Sequence, residues 1–111
     1  MDAEVMDRQV ALSRVGGDAT LLKEIAGLFL QDYPKVLADL REAAARGDAQ
    51  GVERTAHGLK GSVANFGARA AVDAACALES MGRTQRLDEV AHVLQTLELA
   101  LTSLLPELES L

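Results

Sequence analysis

Residues 55–67 read Thr-Ala-His-Gly-Leu-Lys-Gly-Ser-Val-Ala-Asn-Phe-Gly. With the residues just before them they read as a helix. Val52, Ala56, Leu59, Val63 and Phe66 are spaced 4, 3, 4 and 3 apart. At about 100° per residue that spacing makes one apolar stripe. His57 falls about 140° from Val52, outside the stripe. Lys60 and Gly61 follow three and four residues later, one turn on along the same side, and Ala64 one turn beyond. The pattern predicts an imidazole facing solvent, an ammonium beside it and little side-chain bulk around it. Two mid-helix glycines, Gly58 and Gly61, give up about 2 kcal/mol of helix propensity relative to alanine. Close approach of another body beside His57 would account for them.

An isolated histidine on a helix is ordinarily a surface residue. Here three features coincide: His57 lies off the stripe, Lys60 shares its side, and Gly61 clears the next turn. His57-Gly58-Leu59-Lys60-Gly61, with Gly67 closing the run, resembles the signature of histidine-containing phosphotransfer (HPt) domains. That pattern is His, any residue, an apolar residue, Lys, Gly, then Gly six residues on. Every fixed position matches. Gly58 departs from the small polar residue more usual there. The likeness extends from about Leu21 to the last helix.

Outward from this stretch, the chain divides at glycine–aspartate punctuation. A short first helix is expected over about Glu4–Arg14, with Val5, Met6, Val10 and Leu12 apolar, ended by Gly16-Gly17. Asp18 is an N-cap for a second helix reaching about Arg46, with Leu21, Ile25, Leu28, Phe29, Val36, Leu40 and Ala43 on its inner face. Its period continues across Pro34, so a kink is expected and not a break. Gly47-Asp48 starts the third helix, which ends near Gly67. The fourth, about Arg69–Met81, is alanine-rich, and Cys76 reads as a small buried hydrophobe within it. Gly82–Thr84 is the last turn. Leu87, Val90, Leu94, Leu97, Leu101, Leu104 and Leu108 then alternate spacings of 3 and 4, with Pro106 bending or fraying the end. Such a seam suits a coiled-coil dimer, but the stronger reading is one wall of an intramolecular bundle, since the other helices need a partner. The expected fold is all-α: an up-down-up-down four-helix bundle with a short additional N-terminal helix, forming one domain over residues 1–111.

Composition supports helices. Only Phe29, Tyr33 and Phe66 are aromatic, and there are two prolines. The net charge of −6 and pI near 4.8 set the long-range field against nucleic acid and anionic membranes. No apolar run reaches the roughly 18 residues of a membrane span. The acidic start, Met1-Asp2-Ala3-Glu4, is unlike a secretory signal, and the single cysteine cannot form an internal disulfide. A reducing cytoplasm is the expected compartment.

Phosphoryl transfer needs an in-line nucleophile and cations for the equatorial oxygens. A histidine side chain titrates near pH 6.5, so a free nitrogen lone pair is available at neutrality. On the resemblance, His57 is the phosphoacceptor and Lys60 steadies the phosphoryl oxygens. Gly58, Gly61, Ala64 and Asn65 would face the docking partner, joined by apolar residues from the first two helices. The resemblance also implies a hydrogen-bond acceptor for the second imidazole nitrogen on the next helix, at Glu79. On the residues alone, Glu79 reads equally as a solvated charge. A glutamate there resembles the phosphate-accepting domain of chemotaxis-type histidine kinases.

No glycine-rich phosphate loop precedes a helix, so ATP binding is not indicated. Ser62, five residues from His57, falls on another face and makes no Ser-His pair. His92 has no lysine or glycine in the next turn and reads as a surface residue. A zinc site from His57, His92 and Cys76 lacks any paired ligand spacing. The expectation is a monomeric phosphoryl carrier without its own kinase site or resident cofactor, Mg²⁺ coming from the partner. The partners implied are response-regulator receiver domains or a hybrid histidine kinase. The rival readings are the phosphate-accepting domain of a chemotaxis-type kinase and a non-phosphorylated helical protein-binding bundle.

Overall fold

The computed structural model of the chain describes residues 5–111. It contains α1 (Arg8–Arg14), α2 (Ala19–Ala45), α3 (Ala49–Ala64), α4 (Arg69–Arg83) and α5 (Val90–Glu109). Three aspartates start helices in the same way. The side chains of Asp7, Asp18 and Asp48 accept from the backbone N–H of Val10, Leu21 and Gly51, relieving one of the unpaired donors at each helix start. Each of α2, α3 and α4 packs on the next, α5 closes the ring against α2, and α1 lies on α2. The all-α bundle with its extra N-terminal helix is therefore the fold observed.

The leucine seam of α5 is the wall of that bundle. Val90, Leu94, Leu97, Leu101, Leu104 and Leu108 are all buried. They meet Leu40 and Leu37 of α2, Val52, Leu59 and Val63 of α3, and Leu78 of α4 in one core cluster. Phe66 is fully buried and meets Phe29 edge-on at 5.7 Å, while Phe29 stacks on Tyr33 at 5.8 Å. Both prolines lie inside helices that run on past them.

Several sequence expectations need correction. Glu4 lies outside the described residues, and α1 begins at Arg8, because Asp7 caps it there. Val5 and Met6 precede the helix, though Met6 is buried. The buried face of α2 is Leu22, Ala26, Phe29, Leu37, Leu40 and Ala43, whereas Leu21 and Leu28 are exposed, Leu28 by 60%. The helix carries two parallel apolar stripes about 100° apart, and only one can face the core. Helix α3 stops at Ala64, and Gly67 closes the following turn with φ +61°. Helix α4 runs to Arg83, so Gly82 is helical and buried. The turn follows it, and Leu87 precedes α5. Cys76 is exposed on α4, because Ala71, Ala74, Ala75 and Leu78 take the inward positions.

Gly67 has two reasons to be glycine. Its φ lies in the left-handed region, and a Cβ there would come within 2.6 Å of the Asp7 Cβ. The Asp7 N–H donates to the carbonyls of Phe66 at 3.1 Å and Gly67 at 3.3 Å. Asp7, the cap of α1, is thereby seated on the turn that follows α3.

Gln85, in the turn after α4, also adopts a positive φ, 59°, with its N–H donating to the Gly82 carbonyl and the Arg86 N–H donating to that of Met81. A side chain is strained in that helix-terminating position, which glycine normally takes. Gln85→Gly is expected to raise stability by up to about 1 kcal/mol, read as a higher urea midpoint at unchanged slope.

Candidate functional site

Helix α3 turns its stripe of Val52, Ala56, Leu59 and Val63 into the core. His57 is carried outward with its side chain 68% exposed. Helix α4, antiparallel beside it, presents Glu79 from a position that is otherwise core: the residue is 8% exposed, between buried Leu78 and Gly82. His57 Nδ1 lies 2.7 Å from Glu79 Oε2. Lys60 Nζ donates to the other oxygen, Oε1, at 2.6 Å. One carboxylate thus receives both basic side chains of successive turns of α3.

The hydrogen bonds from Lys60, and then from His57, hold the Glu79 carboxyl below the usual glutamate range, outweighing the opposite push of burial. The hydrogen bond to Glu79 raises the Lys60 ammonium above its ordinary value against the cost of burial. At neutral pH the pair is ionised. A carboxylate only accepts hydrogen bonds, so Nδ1 carries the imidazole proton. Nε2 then holds the lone pair, on the side of the ring turned away from Glu79. A neutral imidazole arranged this way is a nucleophile with its tautomer fixed.

The surroundings are open. A Cβ at Gly58 or Gly61 would meet no atom within 4 Å, so no packing within the described residues demands glycine at either position. Ala64 is half-buried on the last turn of α3, and Asn65 caps the helix. Beside His57, between α2 and α3, lies an apolar groove of about 420 Å³. Ile25, Leu28, Tyr33 and Val36 line one side, Gly58 and Asn65 the other. Half-buried Ile25 and exposed Leu28 carry the second stripe of α2 into it, a spacing at i, i+4, i+7 with Leu21 that the sequence already carried, Leu21 lying outside the groove.

The other candidates stand apart. His92 is exposed on α5, and the Ser62 hydroxyl donates to the Gly58 carbonyl at 3.2 Å. Among the described residues no group of three His, Cys, Asp or Glu side chains could hold a metal ion, and no helix is long and apolar enough to cross a membrane. Sequence reasoning missed two features here. One is the Lys60–Glu79 bond, and the other is the burial of Gly82 one turn beyond Glu79. A glycine three residues after a candidate acceptor was the available signal for the second.

Comparisons with known proteins bear on the fold and on the family of the chain. The crystal structure of histidine-containing phosphotransfer protein B (HptB) from Pseudomonas aeruginosa PAO1 superposes with a TM-score of 0.89, covering 98% of this chain and 95% of that one at 24% sequence identity. At that identity the likeness speaks for the fold. A search of curated protein sequences gives no significant match. The family model for the Hpt domain matches residues 24–110, most of the chain. With that match across α2 to α5, this chain belongs to the Hpt domain family.

Proposed function

We propose that the chain is a phosphoryl carrier of a His-Asp phosphorelay, with His57 as its phosphoacceptor, loaded from one receiver-domain aspartate and unloaded onto another. The observation that carries this is the imidazole itself: exposed, with Nδ1 tied to a carboxylate that is nearly buried. Nε2 attacks the phosphorus of an aspartyl phosphate in line. The N–P bond forms as the P–O bond to the aspartate breaks, and the aspartate leaves as a carboxylate. The Nδ1 proton stays on the ring. The positive charge that develops on the imidazole faces Glu79, and the Lys60 ammonium, held on Glu79 Oε1 in the free chain, swings on its flexible stem to the phosphoryl oxygens. Any Mg²⁺ in the transfer is the receiver's.

The receiver would dock over Gly58, Gly61, Ala64 and Asn65, with the groove residues Ile25, Leu28 and Tyr33 supplying apolar contact. Leu28 is a large apolar side chain left 60% in water, which suits a surface that a partner covers.

Three outcomes are expected. With a phosphorylated receiver as donor, His57→Gln folds and takes no label, while His92→Gln takes it normally. Label on His57→Gln would sink the assignment.

The second concerns acid. Because the Glu79 carboxyl is lowered in the folded chain, its stabilisation is complete above the unfolded value of about 4.3 and is lost as pH falls through the folded value below that. The melting-temperature advantage of the native chain over Glu79→Gln should be constant from neutrality down to about pH 5 and shrink in more acid buffer. An advantage that instead disappears between pH 8 and 6 would contradict the ionised Glu79.

The third concerns clearance. Gly61→Gln should melt higher, by up to about 1 kcal/mol of helix propensity, and keep its reactivity toward phosphoramidate. Transfer from a receiver should fall at least tenfold, about 1.4 kcal/mol in the transition state. Normal transfer would leave the open turn without a role.

A further inference from the structure

We propose that Gly82 is a positioning residue for His57: by letting α4 seat directly on the backbone of α3, it sets the distance at which Glu79 holds the imidazole. A Cβ at Gly82 would lie 2.5 Å from the Glu53 nitrogen, 2.6 Å from the Ala49 carbonyl oxygen and 2.9 Å from the Glu53 Cα. All three are backbone atoms of α3, so no side chain can swing aside. Ordinary contact needs roughly 3.5 Å, so any larger residue moves the two helices apart by about 1 Å at this point.

That contact is one turn from the site on both helices. Gly82 follows Glu79 by three residues on α4, and Glu53 precedes His57 by four on α3. The helices run antiparallel, so Gly82 faces Glu53 where Glu79 faces His57. A hydrogen bond of 2.7 Å stretched by about 1 Å is no longer one. The two partners of Glu79 differ in reach. Lys60 has a long flexible stem and can follow the carboxylate. The imidazole has a short, stiff one. Separation of the helices therefore costs the bond to Nδ1 first and leaves the bond to Lys60. Gly82 acts on the nucleophile through Glu79, without touching it. The effect on phosphoryl transfer rests on the carrier reading above, whereas the effect on the imidazole does not.

The test uses the full chain with Gly82→Ala, alone and in the Gln85→Gly background. The His57 tautomer is read by ¹⁵N NMR on the neutral ring, and the rate of labelling by phosphoramidate is measured beside it. The native chain should carry the proton on Nδ1. Gly82→Ala should melt cooperatively at a lower temperature, shift the proton toward Nε2, and label at least fivefold more slowly. Glu79→Ala should give the same tautomer shift, and adding Gly82→Ala to it should change the tautomer no further. Leu97→Ala, a core truncation on α5, should lower the melting temperature and leave the tautomer as in the native chain.

A folded Gly82→Ala with native tautomer and rate would overturn the proposal. So would loss of cooperative folding in both backgrounds, since that assigns the glycine to the fold at large. If the native chain takes no phosphate at all, the carrier reading fails, and the tautomer comparison still decides the role of Gly82.

Discussion

One carboxylate, nearly out of water and shared by two bases from the neighbouring helix, is the constraint around which α3 and α4 are arranged. A buried carboxylate is costly unless its charge is matched and its oxygens are used. Glu79 meets both conditions only where it is: Oε1 takes the Lys60 ammonium and Oε2 takes His57 Nδ1. The helix presenting it is almost bare of bulk on that side. Ala75 and Gly82 lie one turn to either side of the glutamate and are buried, and at Gly82 the backbones come so close that a medium-length side chain suffices. Core packing and the orientation of the imidazole are therefore one structural problem with one solution.

Helix α2 divides its work differently. Its buried stripe, from Leu22 through Phe29 to Ala43, stabilises the bundle. The adjacent stripe is only partly used by the fold: Ile25 is half-buried against the core, while Leu21 and Leu28 stay exposed and Leu28 leaves apolar surface in the groove beside α3. Phe29 and Tyr33 connect the two, one in the core and stacked on the other at the edge of the groove. The stability of the bundle and the character of its exposed face can thus vary separately on the same helix.

Much of this was legible in the sequence because it is local. Aspartate caps, glycine stops and the 3–4 seam of α5 mark the helices, since each depends on residues within a turn or two. His57, off the stripe of α3, was legible for the same reason. What was not legible depends on contacts between helices. Periodicity could not say which of two stripes on α2 would face inward. Cys76 sits among alanines that compete with it for the interior. Gly82 reads as a stop signal, yet packing against the α3 backbone keeps it helical. Glu79 carried two equal readings until the register of α4 on α3 placed it within reach of both bases.

The histidine and the acid that fixes its tautomer are 22 residues apart and on different helices. The sequence motif around His57 is therefore not a portable unit. Grafted onto another helical bundle, the same run of residues would display an imidazole and an ammonium and nothing to orient either. A transplant would have to carry both helices and the turn that joins them, held at their mutual spacing. The smallest part of this chain that contains the histidine, its lysine and its acid is a helical hairpin.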